Sequence, residues 1–165
     1  MPPLQSIIGD HQPFLNNIFT LLEKDGIDVT DYELDHICYR VAGQARYEEL
    51  KQALFQYGSL LVEAQIGGRP VSTFHLNDPL TFNKREIPCL ELPAPKEGSY
   101  YPEGYEHVEF VIDLDFSKFR ELYPQVNFDT QSMNKKINPD IKIDYATCSV
   151  KFHHYSLKEV IERWG

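Results

Sequence analysis

The chain has 165 residues, enough for one domain with a substantial core or for two small fused modules. Ten Tyr, ten Phe and one Trp argue against disorder. A net charge of −9, with no basic run beyond Asn134-Lys135-Lys136, argues against nucleic acid or an anionic membrane surface as the main partner.

The start, MPPLQSIIGDHQPF, has no basic leader-like region, and no later stretch approaches the ~18 apolar residues of a membrane span. The three cysteines, Cys38, Cys89 and Cys148, are odd in number, form no CxxC and lie in apolar stretches. They are expected to be packed, reduced thiols in a cytoplasmic protein.

In chain order, residues 10–26 predict a first helix. Pro13 suits its first turn, Phe14, Leu15, Ile18, Leu21 and Leu22 form its apolar stripe, and Gly26 ends it. His11, at its mouth, is expected to be solvated. Leu34 to Val41 alternates as a strand, with Ile37, Tyr39 and Val41 on one face and His36, Cys38 and Arg40 on the other. A helix is expected over 44–57, with Tyr47, Leu50, Leu54 and Phe55 inward. A strand over 59–66, a Gly67-Gly68 hairpin turn and a strand over 69–76 follow. A looser segment, 77–85, leads to a strand over 87–92 in which Cys89 and Glu91 share a face. Pro93, Pro95 and Gly98 mark a rigid connector.

The order of elements then repeats. Glu106 to Ile112 alternates, with Val108, Phe110 and Ile112 on one side and His107 and Glu109 on the other. A short helix over 116–123, an ill-defined strand over 126–133, strands over 140–145 and 147–153, and a closing helix over 156–164 complete the chain. Ser156 with Glu159 forms a capping-box pattern there. The element order thus predicts an α+β fold of two βαβββ modules, residues 33–95 and 104–165, whose mixed sheets form a cup. An N-terminal and a C-terminal helix are added to it.

In that arrangement His36 and His107 hold matching positions on the first strands of the two modules. Glu91 comes from the last strand of the first module, and Lys151 and His153 from the last strand of the second. Imidazole and carboxylate together suit Zn, Ni, Fe, Mn or Co. Singly, each residue has a plainer explanation. His36 can be a core histidine satisfied by backbone, Glu91 a surface carboxylate, and His153 and His154 can cap the closing helix. His75 reads as an exposed strand residue. Arg40 and Lys151 can simply pair with Glu109, or hold an anionic substrate group. No GxSxG, P-loop or GxGxxG is present.

The segments LDHICYRV, GGRPVSTFHL, CLELPAPK, YPEGYEHVEFVI and SVKFHHYSLKEVI resemble the YecM family of metal-binding proteins. That family looks like a branch of the vicinal-oxygen-chelate superfamily, with glyoxalase I, bleomycin-resistance proteins and extradiol dioxygenases. The resemblance covers about residues 34–160. It implies a single glyoxalase-like domain over 1–165 with a divalent metal inside the cup. Superfamily ligands come from the first and fourth strands of each module, here His36, Glu91, His107 and a residue of the last strand. The usual Glu or Gln is missing from that strand, and His153 is the expected fourth ligand because a protonated Lys151 is a poor one.

The resemblance implies a metal-dependent isomerase, lyase or oxygenase for a small, oxygenated, anionic molecule. Glu91 or Glu109 would be its base, Glu109 otherwise standing behind the metal ligands, and Arg40 and Lys151 would hold substrate. The alternative it allows is a non-catalytic small-molecule or metal-binding module of bleomycin-resistance type. Monomer and homodimer are both compatible with two modules on one chain.

Overall fold

A computed structural model describes all residues, 1–165. Its centre is one mixed seven-stranded sheet in the order β2-β3-β4-β1-β5-β7-β6. The chain enters through a short turn of helix, α1 (Gln5–Ile8), and α2 (Gln12–Lys24). The first unit is β1 (Glu33–Arg40), α3 (Gln44–Leu54), β2 (Gly58–Ile66), β3 (Arg69–Phe82) and β4 (Arg85–Pro93). The second is β5 (Gly104–Val111), α4 (Phe116–Leu122), β6 (Asp140–Asp144) and β7 (Ser149–His153), followed by α5 (Leu157–Trp164).

Each unit pairs its first strand in parallel with its last, β1 with β4 and β5 with β7. The two units meet where β1 and β5 pair antiparallel at the middle of the sheet. A pseudo-twofold therefore passes between β1 and β5, and matching residues of the two modules are brought together there.

One face of the sheet is apolar. Ile37, Leu90, Val108, Phe110, Val150 and Phe152 are buried on it. They belong to the same core as Leu15, Ile18 and Leu22 of α2, Tyr47, Leu50 and Leu54 of α3, and Phe119 of α4. Phe110 stacks on Phe152 at 5.8 Å, and Phe119 tilts against Phe152 at 4.8 Å. Burial of this kind drives folding and leaves the opposite face free to carry polar side chains. At the last helix, the Ser156 hydroxyl accepts from the Glu159 amide at 3.2 Å and completes the expected capping box.

The structure departs from the sequence reading at four places. The looser segment 77–85 is instead the second half of β3 and its turn. Leu80 and Phe82 are buried there, the pairing is irregular between His75 and Leu80, and Asn83 takes φ 53° in the turn. Pro79 sits within that irregularity, where a missing backbone donor is tolerated. The strand expected over 126–133 is a single bridge, Asp129 with Lys142. The Asp129 carboxylate accepts from the Gln131 amide at 2.9 Å and turns the chain away from the sheet. His11 is buried rather than solvated, with Nε2 2.7 Å from the Thr81 carbonyl. Phe55 ends α3 largely exposed, its ring edge-on to Phe74 at 5.4 Å.

Candidate metal centre

The polar face is built by a device used twice. On β1 a bulge falls between Leu34 and His36, so Asp35 has no partner on β5; on β5 a matching bulge leaves Glu106 unpaired beside His107. A bulge breaks the alternation of faces and re-aims side chains. Two consecutive residues can then reach one site. Asp35 Oδ2 lies 2.9 Å from His36 Nδ1, and Glu106 Oε2 bonds His107 Nδ1. A carboxylate only accepts, so each Nδ1 carries a hydrogen. Each Nε2 is then the atom that offers its lone pair to an ion or, with no ion between them, a second hydrogen to Glu109. Carboxylates behind imidazoles in this way orient metal-binding histidines and raise their basicity.

Both Nε2 atoms face the same two carboxylates. His36 Nε2 is 2.5 Å from Glu109 Oε2 and 3.7 Å from Glu91 Oε2; His107 Nε2 is 3.3 Å from Glu109 Oε2 and 3.6 Å from Glu91 Oε1. One ligand atom from each of the four residues lies within 4.8 Å of all the others. Bonds of about 2.0–2.2 Å to N and O imply separations of roughly 3–3.5 Å between neighbouring ligand atoms, which three of these four distances approach. His36 Nε2 is buried and has no well-directed hydrogen-bond partner despite the proximity of Glu109. Two imidazoles and two carboxylates around a buried Nε2 that makes no hydrogen bond fit a divalent first-row ion.

The charges have the same sense. Burial alone would push the His36 imidazolium down, but Glu109, Asp35 and Glu91 hold it well above its ordinary value. His107 is also raised against burial, with Cys38 and Glu106 on the raising side and Lys151 opposing. Glu109 should be raised by burial, yet His36 and Lys151 keep it well below the usual carboxylate range. Glu106 is likewise held down to about 2 against burial, chiefly by His107. A field that favours imidazolium here favours any cation.

The register shows where the second unit departs from the first. Glu91 lies beside Cys38, and Lys151 lies beside Glu109. Cys38 and Glu109 are matching positions on β1 and β5, as are Glu91 and Lys151 on β4 and β7. The first unit therefore carries its carboxylate on its last strand, and the second carries it on its first. Glu109 joins His36, Glu91 and His107, while Lys151 faces the group as a cation. Burial would lower the Lys151 ammonium, but Glu109, Glu91 and Asp140 raise it above its ordinary value.

His153 is not one of these four, but with Asp35 and His36 it forms a second group whose ligand atoms lie within 4.8 Å of one another, and its Nδ1 is 3.6 Å from Glu109 Oε1. It is fully buried, its Nδ1 3.0 Å from Asn138 Oδ1, its Nε2 3.9 Å from Asp35 Oδ2, and its ring 6.0 Å from that of His36. Burial lowers its pKa. His154 stacks on Phe116 at 4.1 Å and reaches the Ile112 carbonyl, away from the site. Arg40 lies on the cavity wall with its guanidinium 4.3 Å over the Tyr101 ring. His75 is exposed, and all three cysteines are buried and free. The sequence reading missed Asp35 and Glu106; the acid-His dipeptide at both 35–36 and 106–107 was the available signal.

Asp35 also accepts from the Leu157 amide at 2.7 Å, tying the centre to the first turn of α5. Asp35→Asn keeps an acceptor for that amide while removing the charge behind His36. It is expected to lower metal affinity about 10- to 100-fold, with folding retained. Unchanged affinity in a metal titration would remove Asp35 from the account.

Glu91, His107 and Glu109 of the quartet line a cavity of about 840 Å³ with Arg40, Lys151, Arg69 and Lys96, and His36 is buried behind them. No helix is long and apolar enough to cross a membrane. An open mixed sheet of paired βαβ-type units, with a His/Glu cluster at their junction, defines an α+β protein with a candidate metal centre on its central strands. The chain belongs to the YecM family, whose model matches residues 3–163. It is 30% identical to Protein YecM of Escherichia coli K12, over 96% of this chain and 92% of that protein. Among solved structures, Protein EC4020 shares 28% identity and a TM-score of 0.83, covering 100% of this chain and 98% of its own. A protein of Bacillus halodurans C-125 shares the fold at 13% identity and a TM-score of 0.53, over 76% of this chain and 96% of its own.

Proposed function

We propose that this chain is a divalent-metal-dependent enzyme of the glyoxalase/dioxygenase-like type, an isomerase, lyase or oxygenase acting on a small, oxygenated, anionic molecule. The observation that carries the reading is the convergence of His36, His107, Glu91 and Glu109, each imidazole backed by its own carboxylate. These four would hold the ion. Bound there, it supplies Lewis acidity toward substrate oxygens.

The protein's own groups divide the remaining work. Glu109 is buried among His36, His107 and Lys151, which favours it, of the two candidate carboxylates, as a holder of charge. Glu91, with its side chain 16% exposed, is the quartet's most accessible carboxylate, the one placed to exchange a proton with a substrate carbon. Lys151, beside Glu109 on β7, puts a positive charge where negative charge develops on a substrate oxygen. Arg40 orients the substrate through an anionic group. The free, buried cysteines support a reducing, cytoplasmic setting.

Thermal unfolding with and without metal tests the reading. An ion that binds only the folded chain adds about 2.7 kcal/mol at a concentration 100 times its Kd. For a chain of this size that raises Tm by roughly 5–11 °C. Chelator-treated protein is expected to gain this shift with at least one of Zn, Ni, Fe, Mn and Co. No shift with any of them would contradict the proposal.

A further inference from the structure

The cavity is basic in an acidic chain. Six of the 16 Lys and Arg residues line it: Arg40, Arg69, Lys96, Lys135, Lys142 and Lys151. Lys135 is matched by Asp140, and Lys142 by Asp129 and Asp144. The other four make no direct ion pair, though Lys151 lies beside Glu109 of the quartet on the neighbouring strand. The remaining three are linked through Tyr101 and the β2–β3 turn.

Their contacts form a chain. Arg40 lies under Tyr101, and the Tyr101 hydroxyl accepts from the Lys96 amide at 3.0 Å. The Gly67 turn of the β2–β3 hairpin brings Arg69 to the same place. A Cβ on Gly67 would stand 3.0 Å from Arg69 Nη1 and 3.6 Å from Lys96 Nζ, so these two cations are neighbours. Arg40 Nε and Arg69 Nε are buried with no hydrogen-bond partner. Arg69 Nη1 gives one 3.4 Å bond to the Ile66 carbonyl, and no carboxylate is paired with Arg69 or Lys96, while Arg40 has Glu106 within its field. Like charges held together in this way favour an added anion.

We infer that Arg40, Arg69 and Lys96 form an anion subsite for the terminal phosphate-type dianion of a ligand whose other end reaches the His/Glu quartet. The inference rests on the metal-centre reading for that other end only. Three cations exceed what one carboxylate neutralises, and guanidinium forks match phosphate oxygens. Arg40 is two residues along β1 from Cys38, and Arg69 is four residues along β3 from Thr73, the neighbour of Glu91. At about 3.3 Å per residue the ligand's two ends stand roughly 7–13 Å apart. That suits a small phosphorylated metabolite and excludes a two-carbon acid.

The test is calorimetric titration of inorganic phosphate into chelator-treated, phosphate-free protein at low ionic strength, beside the Arg69→Gln/Lys96→Gln double variant. Phosphate is expected to bind at one site, to weaken with added salt, and to lose about 10- to 100-fold in affinity in the variant. No saturable binding at millimolar phosphate, equal affinity in the variant, or acetate binding as tightly as phosphate would each overturn the inference. Metal uptake by the same samples keeps the two readings apart. A wild type that takes no metal yet binds phosphate through Arg69 and Lys96 keeps the subsite and loses the metal centre. A variant with normal metal uptake and unchanged phosphate binding loses the subsite alone.

Discussion

His107→Ala is expected to lower metal affinity by more than about 100-fold, beyond the cost of removing an outer carboxylate. The variant loses one of only two imidazoles and strands Glu106, whose main partner is the His107 ring. Its fold should survive, because Val108 and Phe110 on the opposite face of β5 keep their place in the core. Competition with a chromophoric chelator reads the affinity, and far-ultraviolet circular dichroism reads the fold. A folded variant with wild-type affinity would show that the ion is held elsewhere.

Glu109→Gln carries the second large effect, and it appears without metal. Glu109 is the carboxylate that His36, His107 and Lys151 all face. Removing one partner from such a buried charge cluster costs about 3–5 kcal/mol. For a chain of this length, that lowers Tm by roughly 6–20 °C. The comparison is made on chelator-treated wild type and variant at neutral pH. The variant should also fail to gain the metal-dependent rise in Tm. Equal Tm values would mean that the cluster is already compensated without Glu109.

The fold was legible where period-two alternation and helix punctuation were clean. Ile37 and Tyr39 on β1, and Val108 and Phe110 on β5, marked the buried face. Their partners His36 and His107 followed from the same period. What alternation cannot show is a bulge. Strict period two puts Asp35 and Glu106 on the core side, and only the slip in β1–β5 register turns them toward the imidazoles. Glu109 was visible as a face-mate of His107, and alternation alone could not bring it together with His36 and Glu91. The register does so, because β7 carries Lys151 where β4 carries Glu91, and Glu109 lies beside Lys151.

The elements that were misread share a cause. Segment 77–85 holds Asn77, Asp78, Pro79 and Asn83, whose local preferences favour turns, yet Leu80 and Phe82 hold it in β3 by burial. Segment 126–133 has turn residues without a comparable apolar anchor, since Phe128 is its one buried side chain. Tertiary burial outweighed local preference in the first case and was too weak to do so in the second. The chain of contacts from Arg40 through Tyr101 and Lys96 to Arg69 was also beyond a linear reading. It joins a strand end, a connector and a hairpin turn that only the folded sheet brings together.

The most direct test of the centre is elemental mass spectrometry of untagged protein purified without chelator, beside His36→Ala and His107→Ala. The account predicts about one divalent ion per chain in the wild type, lost from both folded variants. Fe would direct activity assays toward oxygen chemistry, and Ni or Zn toward isomerase or lyase chemistry. A wild type that holds no metal, even after reconstitution with each candidate ion, would contradict the account.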